Sequence, residues 1–136
     1  MTTHHLTTEE YQAMTKRPNK YGAKRCKEDG FSFDSMVERD FYLWLREDPV
    51  VNHIDVHPVF SLPGGIRFTA DFIGWYTKDA LPQCEVIDVK GMRPKTDFIR
   101  MWKLFNATHP LGPLVVVSRK NGKWREMTDP DEVRGW

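Results

Sequence analysis

Apolar and polar positions along the chain change period several times, and each change predicts an element. From Asp34 to Arg46 the residues Val37, Phe41, Trp44 and Leu45 recur at helical spacing and make a core-facing stripe. Asp34 or Ser35 can cap this helix, and Pro49 bounds it. Just before it, Glu28-Asp29-Gly30 reads as a turn into a short strand carrying Phe31 and Phe33 on one face. Val50 to Leu62 is strand-like, but Pro58 predicts an edge strand or one with a bulge. Pro63-Gly64-Gly65 is a hairpin turn, and Ile66 to Tyr76 returns. After a loop at Lys78 to Pro82 comes Cys84-Glu85-Val86-Ile87-Asp88-Val89-Lys90, a further strand. Pro94 or Thr96 opens a second helix to about Thr108, buried through Phe98, Met101, Trp102 and Phe105. Leu114 to Ser118 is a continuous apolar run, expected of a strand covered on both faces. Asn121-Gly122 turns it into a last strand, Trp124 to Met127. The order predicts an α/β fold: a mixed sheet flanked by helices, with the second helix crossing over to the buried strand.

Composition alters this little. A chain of 136 residues, 40% of them hydrophobic, suits one folded domain. We place it at residues 20–128, between a polar segment 1–19 and an acidic, peripheral tail 129–136. A net charge of +1 means that attraction to phosphate has to come from local clustering. Cys26 and Cys84 lack metal-binding spacing and read as free thiols of a reducing, cytoplasmic setting. No apolar run approaches membrane-spanning length, so no membrane partner is expected.

Candidate chemistry gathers on the pair of adjacent strands around residues 69–91. Residues two apart in a strand share a face, so Asp88 and Lys90 project together while Ile87 and Val89 point the other way. Asp71 lies amid apolar residues on the neighbouring strand. An acid facing an acid and a lysine can hold a divalent metal, an arrangement suited to phosphodiester cleavage. Glu38 has two readings: with Ser35 it completes a capping box, and beside the apolar stripe it can point towards the sheet. Lys16 to Lys27 carries six basic residues and no acid, either a solvated arm or one that lies on phosphates, with Tyr21 able to stack. His53 and His57 have a helical metal spacing in a stretch that is not helical, and read as ordinary strand or loop histidines.

Glu38 on an early helix, Asp71 in Ala70-Asp71-Phe72, and Asp88-Val89-Lys90 resemble, in order and setting, the PD-(D/E)XK nuclease superfamily. Lys20-Tyr21-Gly22-Ala23-Lys24, Phe33-Asp34-Ser35 with Glu38, and Asp88-Val89-Lys90-Gly91 resemble more closely its small phage-encoded endonucleases, relatives of restriction enzymes and Holliday junction resolvases. The similarity covers roughly residues 19–118. The resemblance implies a restriction-endonuclease-like fold and a Mg²⁺- or Mn²⁺-dependent deoxyribonuclease. Branched or junction DNA in phage recombination, replication or packaging would be its substrate, in the host cytoplasm. Symmetric junction cutting would call for a homodimer. It favours Glu38 as a metal residue, with Asp71 and Asp88 as direct ligands, the Val89 carbonyl completing the shell, and Lys90 holding the attacking water or stabilising the phosphate. Lys20, Tyr21, Lys24, Arg25, Arg100 and Lys103 would contact nucleic acid, Arg100 and Lys103 standing where the family often has a helical lysine. Aspartate stands at position 88 where glutamate is commoner, and Glu85 could replace it only across a bulge. The alternatives are a nucleic-acid-binding module of the same fold without turnover, and an RNA-directed nuclease.

Overall fold

The computed structural model describes residues 25–136. Lys20, Tyr21 and Lys24 therefore lie outside the described residues, as do the whole segment 1–19 and its boundary. The elements are β1 (Cys26–Glu28), β2 (Phe31–Phe33), α1 (Met36–Arg46), β3 (Val51–Val56), β4 (Val59–Leu62), β5 (Ile66–Thr69), β6 (Phe72–Lys78), β7 (Leu81–Val89), α2 (Thr96–Thr108), β8 (Val115–Lys120) and β9 (Lys123–Met127). A final 3₁₀ turn spans Pro130–Gly135. The fold is α/β: a mixed five-stranded sheet ordered β3-β6-β7-β8-β9, accompanied by two-stranded ribbons β1-β2 and β4-β5.

The sheet divides two apolar layers. On one face, α1 sets Phe41, Tyr42 and Leu45 against Phe72, Ile87, Val89, Val115 and Val117. On the other, α2 sets Trp102 and Phe105 against Ile73, Val86, Leu114 and Val116. β8 thus feeds both layers, which explains its unbroken apolar run, and it pairs parallel to β7 through Ile87 and Val115, Asp88 and Val116, Val89 and Val117. That parallel pairing requires the α2 crossover. Trp102 fixes the crossover's return by donating its indole N–H to the Leu114 carbonyl at 3.0 Å.

Several expectations are corrected. Trp44 is 47% exposed, and Tyr42 takes its place in the core. The first basic segment ends in strand β1, paired to β2 through an Asp29-Gly30 turn with both φ angles positive. The hairpin is tied to α1 by Asp29, whose Oδ2 accepts from Tyr42 at 2.8 Å and Arg46 at 2.7 Å. The C-terminal segment is docked rather than peripheral: Val133 is buried in the α2-side layer.

The largest correction concerns strand continuity. The stretches Val50–Leu62 and Ile66–Tyr76 form one long hairpin bent at a shared corner: the interruption at Pro58 and the edge position of β3 are as expected, whereas the matching break at Ala70-Asp71 in Ile66–Tyr76 is not. Below the corner β3 pairs with β6, with a bulge between Val51 and His53. Beyond it β4 pairs with β5. The ladder continues around the bend, because His57 N–H donates to the Asp71 carbonyl at 2.9 Å and Ala70 N–H to the Pro58 carbonyl at 3.0 Å. Pro58 needs no ladder donor there, and His57 takes a left-handed φ of 56°, a conformation that a non-glycine residue holds at a cost of ~1 kcal/mol.

Candidate metal centre

The corner assembles the site. Asp71 is not within a strand but in the break between β5 and β6. Its N–H donates to the Ile87 carbonyl at 3.1 Å. Its Oδ2 accepts the Val89 N–H at 2.7 Å. Those two bonds extend the β6–β7 ladder by one step and set Asp71 opposite Asp88. Asp88 is 4% exposed, and Lys90 Nζ stands 3.0 Å from its Oδ2. The ammonium also lies 3.9 Å from the centre of the Phe98 ring, on α2. Lys90 is thus the partner of the buried Asp88 Oδ2.

Glu38 arrives from the opposite face of the sheet. Ser35 caps α1 by accepting the Glu38 N–H at 3.2 Å, which is half of a capping box. The Glu38 carboxylate does not close the other half. Its Oε1 meets His57 Nε2 at 2.8 Å, and the side chain is 8% exposed against 40% for His57. Glu38, His57 and Asp71 each offer one ligand atom within 4.8 Å of the others, the one such group among the described residues.

Electrostatics show what this convergence requires. Burial, then the neighbouring Asp88 and Glu38 charges, push the Asp71 carboxyl well above the ordinary carboxylate range. Burial also raises Asp88, against the pull of Lys90. A proton taken up by either acid would relieve part of their repulsion. A divalent cation would relieve it more fully, and hard oxygen donors suit Mg²⁺ or Mn²⁺. The donor chemistry of Glu38, His57 and Asp71 fits such an ion.

The structure thus brings Glu38, Asp71, Asp88 and Lys90 together and adds His57, read from sequence as an ordinary histidine. The adjacent Pro58 marked an interruption there, and the bend at His57 aims the ring. Val89 enters through its N–H, which orients Asp71. Glu85 cannot stand in for Asp88, since β7 pairs with β6 without a bulge from Ile87 to Leu81. Arg100 and Lys103 are exposed on α2, and Arg100 reaches back towards Asp97 at 4.0 Å. Arg25 lies 3.9 Å from Asp34 and, with Cys26, Phe33, His57 and Asp71, lines a cleft of ≈ 490 Å³ that opens onto the site. No helix among the described residues is long and apolar enough to cross a membrane.

Residues 18–124 match a family described as "Protein of unknown function (DUF1064)". The chain belongs to this DUF1064 family. The matched span takes in the corner, every acid of the site and Lys90. No curated protein and no solved structure matches the chain.

Proposed function

We propose that this DUF1064 protein is a metal-dependent endonuclease that hydrolyses DNA phosphodiester bonds, built on a PD-(D/E)XK site. The observation that carries the reading is the place of Asp71, which lies opposite Asp88 with its Lys90 partner and also has Glu38 within ligand distance. Three acids and one amine leave an excess of negative charge that favours a bound cation. Asp71 and Asp88 would hold it, with Glu38 and the Val89 carbonyl completing the set. When bound, Mg²⁺ or Mn²⁺ supplies charge neutralisation at the phosphate and acidifies a water.

The chain's own residues do the rest. Val89 N–H fixes one Asp71 oxygen, so the other is aimed. Lys90, braced over Phe98 and half-sheltered, presents its ammonium where the attacking water or the phosphoryl oxygens would lie. Arg25 and the basic residues Lys20 and Lys24 would lead the backbone into the cleft, with Tyr21 stacking on a base and Arg100 and Lys103 meeting DNA farther out. The free thiols Cys26 and Cys84 suit work in the cytoplasm, of the host cell if a phage carries the protein. A branched or four-way junction in recombination, replication or packaging is the substrate we propose, and paired incisions across it would need a homodimer.

The test incubates the protein with supercoiled plasmid, labelled four-way junctions and a parallel RNA, each with Mg²⁺, Mn²⁺ or EDTA. We expect metal-dependent cutting of DNA, abolished in Lys90→Ala with the fold intact. Full activity in Lys90→Ala would refute the assignment of the site. Binding without cutting would identify a nucleic-acid-binding module instead.

A further inference from the structure

We propose that the His57 imidazole is a direct ligand of the site's cation, so that the centre selects Mn²⁺ and similar first-row ions over Mg²⁺. The inference rests on the nuclease reading above, since it takes Glu38 and Asp71 to bind a cation.

Geometry carries it first. His57 Nε2 stands 2.8 Å from Glu38 Oε1, and both lie within 4.8 Å of an Asp71 oxygen. Donors in adjacent positions around an ion held at ~2.1 Å are ~3 Å apart. The His57–Glu38 spacing is therefore that of two neighbouring ligands, and a small contraction brings Asp71 in. The backbone supplies a second observation. His57 is held in a left-handed conformation, with its own N–H bonded to the Asp71 carbonyl. The bend that breaks the strand at Asp71 is thus the same bend that aims the imidazole at its carboxylate.

Chemistry then gives the selectivity. Mg²⁺ prefers oxygen and retains water; Mn²⁺ also favours carboxylates and is the weakest binder of the first-row ions, but it accepts an imidazole nitrogen more readily than Mg²⁺ does. One nitrogen beside carboxylates tips a hard site towards Mn²⁺ without excluding Mg²⁺.

A simple ion pair between His57 and Glu38 makes the opposite prediction. Such a pair competes with the cation for Glu38, so removing the histidine would tighten metal binding. If His57 is a ligand, removing it weakens binding. The experiment titrates Mn²⁺ alone into the full chain, following the free-ion signal by electron paramagnetic resonance. Pulsed measurements on the bound ion then look for a directly coordinated nitrogen. His57→Asn, which tolerates a left-handed φ, and His57→Gln are compared with the unaltered protein. We expect nitrogen coupling in the unaltered protein only, and a loss of Mn²⁺ affinity of at least about tenfold in both variants. Competition should show Mg²⁺ binding at least about tenfold more weakly than Mn²⁺, with a smaller change on substitution. Mn²⁺ binding that Asp71→Asn abolishes, but with no nitrogen coupling and with unchanged or tighter binding in the His57 variants, overturns this inference and leaves the nuclease site standing. No Mn²⁺ binding by the unaltered protein overturns both.

Discussion

Asp71 concentrates the tension of the site in a single side chain. Burial, then the neighbouring Asp88 and Glu38 charges, push it well above the ordinary carboxylate value of 3.8, while one of its oxygens is tied to the Val89 N–H. A carboxyl raised in the folded state stabilises the fold fully below 3.8 and loses that contribution as pH rises through its native value. Without metal, the protein should therefore weaken as pH climbs from the acid side. Asparagine keeps an oxygen for Val89 and never ionises. Asp71→Asn should match the unaltered protein near the ordinary carboxylate value and exceed it by about 1 kcal/mol at neutral pH in the absence of metal. Urea unfolding across a pH series checks this, and an equal decline in both proteins would contradict it. The variant should at the same time lose Mn²⁺ binding, so stability and metal affinity move in opposite directions.

At the scale of elements, what the sequence made legible followed from local chemistry. The α1 boundary could be read from Ser35 and the apolar spacing, and the β8–β9 turn from Asn121-Gly122, whose φ angles of 52° and 73° are those a tight hairpin needs. The corner could not be read in full. Pro58 announced an interruption, but nothing in Thr69-Ala70-Asp71 marks the matching break on the partner strand, which arises only once the two strands pair. Asp88 and Lys90 were legible because strand alternation is rigid. The partnership of His57 with Glu38 was not, because it joins a kink to a helix on the far side of the ribbon. The β6–β7 turn shows where local chemistry is poor: Asp79 and Ala80 both have positive φ, 52° and 61°. Ala80→Gly should stabilise the protein by about 0.5–1 kcal/mol, because glycine meets no steric penalty there. Chemical denaturation measures the shift, and a loss of stability would show that the turn is not under strain.

For the whole molecule, the described residues form two apolar layers, one on each face of the sheet, and the last residues help to close one of them. Val133 is 3% exposed and packs with Met127 and Trp102. Capping by Asp129, which accepts the Asp131 N–H at 2.9 Å, holds the final turn in place. Arg125 lies 4.8 Å from the Trp136 ring centre, adding a second attachment. Ending the chain after Thr128 should lower stability by about 2 kcal/mol or more, the value of burying a valine side chain with its neighbours. An unchanged denaturation midpoint would show the segment to be dispensable. Composition alone suggested the reverse, since Asp129, Asp131 and Glu132 look like a solvated tail when Val133 is overlooked.

The bend at His57 and Asp71 also separates what can vary from what cannot. Beyond it the ribbon runs out to Gly64 and Gly65, both at positive φ and the second in open surroundings, and then comes back to the same level. Extra residues inserted at that tip leave the two sides in step. One residue added at Pro58 or Ala70 would slide one side past the other and turn its side chains inside out. The ribbon's far end is therefore the natural place for relatives to differ in length, or for an engineer to graft a new peptide, while the chemistry at its base stays in register.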